Sequence, residues 1–191
     1  SSGSSTEIKQ EVINSGKKKI FDFYQIYINT YLICRVDFYK RLVKEGIFTL
    51  EKLFGFFKEK SLDKDLSLFL LEGMKYFILC EYHAAIFILI PQIETLAKKI
   101  AEKVKIPIKK VVREGEQDKT LGDFLLDENF QVKIGTDLNT YCLWFLADKT
   151  GFNLRNRISH GLIRYKDVQS FIVVGVIDII ILLIEVLNHL K

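Results

Sequence analysis

Phe171 to Leu187 reads F-I-V-V-G-V-I-D-I-I-I-L-L-I-E-V-L, and its only ionisable side chains are Asp178 and Glu185. A segment this apolar has to be shielded from water on nearly every side. A bilayer can do so for a helix of about 20 apolar residues; so can the centre of a helical bundle. A carboxylate in mid-helix is costly in lipid. Asp178 therefore favours the central helix of a bundle, or one that also forms a contact between two subunits. By the same argument Asp178 needs a partner or must face a polar junction.

The rest of the chain supplies material for such a bundle. Apolar residues make up 49% of the 191, and there are two prolines to break helices. The length fits one domain, or one domain carrying a helical extension. Ser1 to Ser5 is a Ser-Gly run of the kind left by an expression linker and is set aside. Residues 6–60 read as an N-terminal helical extension. Phe21, Tyr24, Ile28, Leu32, Val36 and Tyr39 make a stripe in steps of three and four, ended by Gly46. Thr49 can cap a short helix, Leu50 to Lys58, showing Leu53, Phe54 and Phe57.

Residues 61–191 read as the bundle itself. One helix runs from Asp65 to about Leu79. A second runs from Glu81 to about Val104, with a kink expected at Pro91 beside Gln92 and Glu94. Lys105 to Asp118, with Lys109, Lys110 and Arg113, reads as a basic loop. A short helix follows over Thr120 to Leu126, then one capped by Thr136 or Asp137 that ends near Lys149 to Gly151. Asp167 is placed to cap the last helix, Val168 to Leu190. Cys34, Cys80 and Cys142 are far apart and show no metal-ligand spacing with the three histidines. They read as reduced, buried thiols of a cytoplasmic protein. The net charge of +4 permits a polyanionic partner without requiring one.

Between the last two helices lies F-N-L-R-N-R-I-S-H-G-L-I-R-Y, Phe152 to Tyr165. No Asp or Glu falls between Lys149 and Lys166, so the segment is a basic island. If Asn153 caps a short helix here, Asn156 and His160 share a face. Arg155 and His160 lie about 140° apart around the axis. They converge only at a broken helix end, or when a second subunit faces the first. Arginine grips phosphate oxygens bidentately. Histidine exchanges protons near neutral pH, and asparagine can orient it. That set suits RNA, whose 2′-OH is its own nucleophile and needs a base, an acid and charge stabilisation. DNA lacks that hydroxyl.

R-N-x-x-x-H at Arg155, Asn156 and His160, with I-P-Q-I-E upstream at Ile90 to Glu94, resembles the signature of the HEPN family of small helical ribonucleases. The nearest resemblance is to a bacterial group with a similar I-P-Q-I-E helix, and it covers roughly Asp65 to Leu190. The resemblance implies an all-α fold, an antiparallel bundle of four or more helices, a homodimer, and endoribonuclease activity with no metal or other cofactor. It places catalysis on Arg155, Asn156 and His160. Lys149, Arg157, Arg164 and Lys166 would guide RNA by charge. It also implies a toxin–antitoxin or antiphage setting, with a protein antitoxin or inhibitor as partner, in the cytoplasm and away from membranes. Some toxin members carry a modifiable Tyr two residues after the His. Here that position is Leu162, so that control is not expected.

Two other readings stay open. The same basic face could bind RNA, nucleotide or protein without cleaving. Asn153, Asn156 and His160 could also serve only to cap helix ends and satisfy carbonyls. Tyr82, His83 and Glu94 could approach the segment across the bundle, and each reads first as structural. His189 suits the C-terminus of the last helix and has no further role.

Overall fold

The computed structural model describes residues 26–112 and 115–190 and is built almost wholly of helices. Helix α1 spans residues 26–44 and ends where Gly46 turns the chain at φ +66°. Phe21 and Tyr24 of its expected stripe lie outside the described residues. Ile28, Leu32, Val36 and Tyr39 are buried as the spacing requires. Helix α2 (Leu50–Glu59) starts at Thr49, whose hydroxyl accepts the Lys52 amide at 3.3 Å. It buries Leu53 and Phe57 and leaves Phe54 exposed. Helix α3 (Lys64–Ile78) is capped by Asp63, which accepts the Leu66 amide at 2.9 Å. Helix α4 (Tyr82–Lys103) continues through Pro91.

Residues 105–118 are not a simple loop. Lys109–Val112 (β1) and Gly115–Asp118 (β2) pair antiparallel, with Lys109 opposite Asp118. The β-branched Val111 and Val112 favour strand, and ion pairs Lys109–Glu116 (3.1 Å) and Lys98–Asp118 (2.9 Å) pin the hairpin to itself and to α4. Arg113 lies outside the described residues. Helix α5 (Leu121–Leu125) opens on a capping box between Thr120 and Asp123. Helix α6 (Glu128–Ile134), capped by Asp127, follows it. Helix α7 (Thr136–Cys142) begins from Gly135 at φ +90°, not from a Thr136 or Asp137 cap. It widens into a π turn, Leu143–Ala147. Helix α8 (Leu154–Ser159), a 3-10 turn (Tyr165–Asp167) and helix α9 (Ser170–His189) complete the order.

The apolar run Phe171 to Leu187 lies in α9, which is buried from Ile172 to Ile180 and again at Leu183 and Ile184. Its length and hydropathy would suffice to cross a membrane, yet most of it is covered by protein. Helices α3 and α4 form an antiparallel pair across a short turn. Helix α4 lies beside α9 and runs the same way. Lys103 Nζ donates to Leu187 O at 2.9 Å at one end, and His83 meets Tyr165, just ahead of α9, at the other. Two parallel neighbours require a crossover, and residues 104–169 provide it. Helix α1 runs antiparallel to α9, with Leu32 near Gly175 and Ile28 near Leu182. Gly175 is needed there, because a Cβ would stand 2.6 Å from the Phe145 ring.

Asp178 has the partner its position demands. Its carboxylate accepts from Arg35 (Nη2 at 2.5 Å, Nε at 3.0 Å) and from the Tyr39 hydroxyl at 2.8 Å. Burial, with the nearby Asp178 charge, pushes the Tyr39 phenol well above its usual range. The first helices thus join the same core as the rest: Leu32, Tyr39 and Phe57 pack in one cluster with α3, α4 and α9. Cys142 is buried, and burial pushes its thiol up to about 12. Cys34 and Cys80 are exposed free thiols, contrary to the buried reading: Cys34 falls off the apolar stripe of α1, and Cys80 stands in the turn between α3 and α4 at φ 61°.

Candidate functional site

The arginine–asparagine–histidine segment sits in the crossover, between the π turn and α9. Its frame begins with Gly151. A side chain there would stand 2.0 Å from the Trp144 carbonyl, so only glycine lets the chain pass this close. Phe152 then donates its amide to Trp144 O at 3.1 Å and packs its ring edge-on against Trp144 and Phe145. Leu154 is buried beneath α8. Asn153 occupies the N-cap position in the left-handed region (φ 50°), a conformation asparagine tolerates. Its side chain makes no bond to the helix amides, which corrects the expected cap. Instead its Oδ1 accepts from Asn156 Nδ2 at 2.7 Å.

Asn156 is turned inward. Its amide also donates to Ala147 O at 3.2 Å, a carbonyl at the end of the π turn, and its Oδ1 accepts from Arg155 Nη1 at 3.3 Å. It braces α8 against the π turn and holds Arg155. It does not meet the His160 ring through a hydrogen bond. Arg155 lies at the other side of this brace, with Nη2 donating to Glu94 Oε2 of α4 at 2.9 Å. Glu94 is thus the side chain from the upstream I-P-Q-I-E that crosses the bundle to the segment. Both partners are partly exposed, so the guanidinium is fixed in direction and still open to solvent.

His160 is the C-cap residue directly after α8 and is exposed. The helix closes behind it in a paired turn: Gly161 N–H donates to Ile158 O at 3.1 Å and Leu162 N–H to Arg157 O at 2.7 Å. Gly161 makes this turn at φ +65°. Among the described residues the His160 ring makes no hydrogen bond. The helix thus ends at Ser159, and the chain turns away at Gly161, directly after the histidine.

The four expected RNA-guiding cations divide into two kinds. Lys149 and Lys166 are exposed. Arg157 and Arg164 are both held by Asp167: Arg157 Nη2 donates to its Oδ2, and Arg164 binds it through Nε and Nη2 at 3.1 Å each. Arg164, with Arg157 behind it, holds the Asp167 carboxyl down at about 2. Asp167 was expected to cap the last helix. That helix starts three residues later at Ser170, with Gln169 at its N-cap, and Asp167 ties the 3-10 turn to α8. A cavity of about 220 Å³ opens beside this clamp, with Arg157, Lys166, Asp167 and Gln169 as its polar wall.

Two contacts were not foreseen in role. Glu94 pairs with Arg155, as described. His83 meets the loop after the segment, with Nε2 donating to Tyr165 O at 2.8 Å and its ring stacked on Tyr165 at 3.8 Å between centroids. The spacing of His83 and Glu94 on α4 carries a signal: eleven residues is three helical turns, so both face the same way.

Comparison with protein-family models, curated proteins and solved structures returns no match for this chain.

Proposed function

We propose that this chain is a HEPN-type endoribonuclease that cleaves RNA by attack of the 2′-OH on the adjacent phosphate, without metal. The observation that carries the reading is the arrangement of Arg155 and His160. One is a guanidinium tethered by Glu94 and Asn156 yet open to solvent; the other is an exposed imidazole at a helix end closed by Gly161. Arg155 stabilises the charge that builds on the phosphorane. His160 moves the proton to or from the reacting oxygens. Asn156 serves as a positioning residue, since its bonds go to Ala147, Asn153 and Arg155. Lys149 and Lys166 draw RNA in by charge, with Arg157 and Arg164 lending what Asp167 leaves of theirs. A homodimer bringing two such segments face to face would supply the second acid or base from the partner copy. The setting that accompanies this reading is cytoplasmic, with an inhibitor protein as a further partner.

A second reading rests on a specific observation. The Arg155 charge already has a carboxylate partner, and so do Arg157 and Arg164. A module that binds RNA, nucleotide or protein without cutting would tolerate such pairing. The two separate on one variant. His160→Ala should lower cleavage by at least about 100-fold, the usual worth of a general acid–base group, while the melting temperature and oligomeric state hold. Undiminished cleavage by that variant removes His160 from the chemistry. Absence of cleavage by the intact protein, with RNA still bound, favours the binding module.

A further inference from the structure

We infer that Tyr165, His83 and Phe87 form a stacking ledge that makes the proposed nuclease select single-stranded RNA; the inference rests on the ribonuclease reading. Tyr165 is 82% exposed, although one face of its ring lies flat on His83 with an interplanar angle of 14°. An aromatic ring held rigid on one side and bare on the rest is poised to stack. Phe87 follows His83 by four residues on α4, hence on the same helix face, and is 49% exposed in a helix whose other aromatic and aliphatic faces go to the core. Pro91 and Glu94 continue that face, at eight and eleven residues from His83. The ledge therefore leads along α4 towards the Glu94–Arg155 pair, with Phe87 and Glu94 about 10 Å apart along the axis at 1.5 Å per residue.

The occupant follows from charge and shape. Around the ledge and the segment stand Lys149, Arg155, Arg157, Arg164 and Lys166, against Glu81, Glu94, Asp148 and Asp167, so the face keeps a small positive excess. Lys166 adjoins Tyr165 in sequence and is itself exposed. Exposed rings bordered by cations are what unpaired bases with their phosphates require. In a duplex the base faces are already stacked on one another and cannot reach the rings. Stacking is blind to the 2′-OH, so single-stranded DNA should occupy the ledge as well and resist cleavage.

The test uses a fluorescein-labelled 12-nucleotide RNA, the DNA of the same sequence, and the RNA duplex, with binding read by anisotropy in the His160→Ala background and cleavage read in the intact background. Phe87→Ala and Tyr165→Ala should each weaken binding of both single strands about tenfold. Duplex binding should be unchanged. In the cleaving protein KM should rise by the same factor with kcat at saturation held, and Phe87→Trp should restore binding. Both residues are at the surface, so melting temperatures should stay as they are. If the intact protein cleaves RNA and both alanine variants bind single strands as tightly as before, the ledge is overturned and the ribonuclease reading stands. If the intact protein neither binds nor cleaves any RNA, the ribonuclease reading falls and takes the ledge with it. If binding goes instead to a peptide or a duplex through the same rings, the ledge is assigned to the wrong partner.

Discussion

Asp167 shows how a single carboxylate sets the electrostatics of the site. It takes up the charge of Arg157 and Arg164 at once, leaving Lys149 and Lys166 as exposed cations. Asp167→Asn removes that charge and should tighten RNA binding. It should also steepen the fall of affinity with salt, by about 0.7 in the log–log slope for each arginine that gains a phosphate. An unchanged slope would mean the arginines serve only the loop. The pH dependence has a definite sign. The carboxyl titrates at about 2 in the folded chain, below the value of about 3.9 expected unfolded. Its contribution to stability is therefore complete above about pH 4 and is lost as pH falls towards 2. The gap in melting temperature between the intact protein and Asp167→Asn should be flat above about pH 5, shrink as pH falls, and close only below about pH 2. This role was hidden in the sequence. Asp167 stands just ahead of an apolar helix, where a carboxylate ordinarily caps, and only the three-dimensional return of the chain brings Arg157 to it.

Helix α8 is six residues long and would not form alone. It is held from outside: Leu154 buried beneath it, Asn156 bonded to the π turn, and Gly161 closing its end. The H-G pair made the helix end legible, since a glycine after a helix commonly takes the left-handed conformation. The inward turn of Asn156 was not legible, because it depends on the π turn leaving the Ala147 carbonyl for a side chain to satisfy. No periodicity announces a π turn. Space around Gly161 is open, so Gly161→Ala meets no clash and suffers only the conformational penalty. That penalty should be about 1–2 kcal/mol, read by urea unfolding. Cleavage should fall by more than the stability loss explains, because the strain is relieved by moving His160. Full activity with the expected destabilisation would show that the histidine's position is not set by this turn.

Helix α9 and its crossover organise the molecule, and here the sequence was most informative. An apolar run with Asp178 in its middle required a buried helix and a partner for the carboxylate, and both are present. The partner's identity was not legible, because Arg35 lies 143 residues away and on a helix read as an extension. The hairpin at residues 109–118 was missed for a related reason: its strands are short and mostly exposed, so no alternation marks them. Arg35→Ala would leave Asp178 buried with tyrosine hydroxyls alone. The loss should be about 3 kcal/mol in a single cooperative transition, since α1 shares the core of α3, α4 and α9. Two transitions, with α1 melting first, would instead mark the N-terminal helices as a separate unit. The most direct measurement of the central claim is incubation of the intact protein with mixed cellular RNA in excess EDTA, with the product ends identified by mass spectrometry. The result expected is cleavage leaving 2′,3′-cyclic phosphate ends, absent with His160→Ala. Products ending in 3′-OH, cleavage that EDTA abolishes, or no cleavage from folded protein would each contradict it.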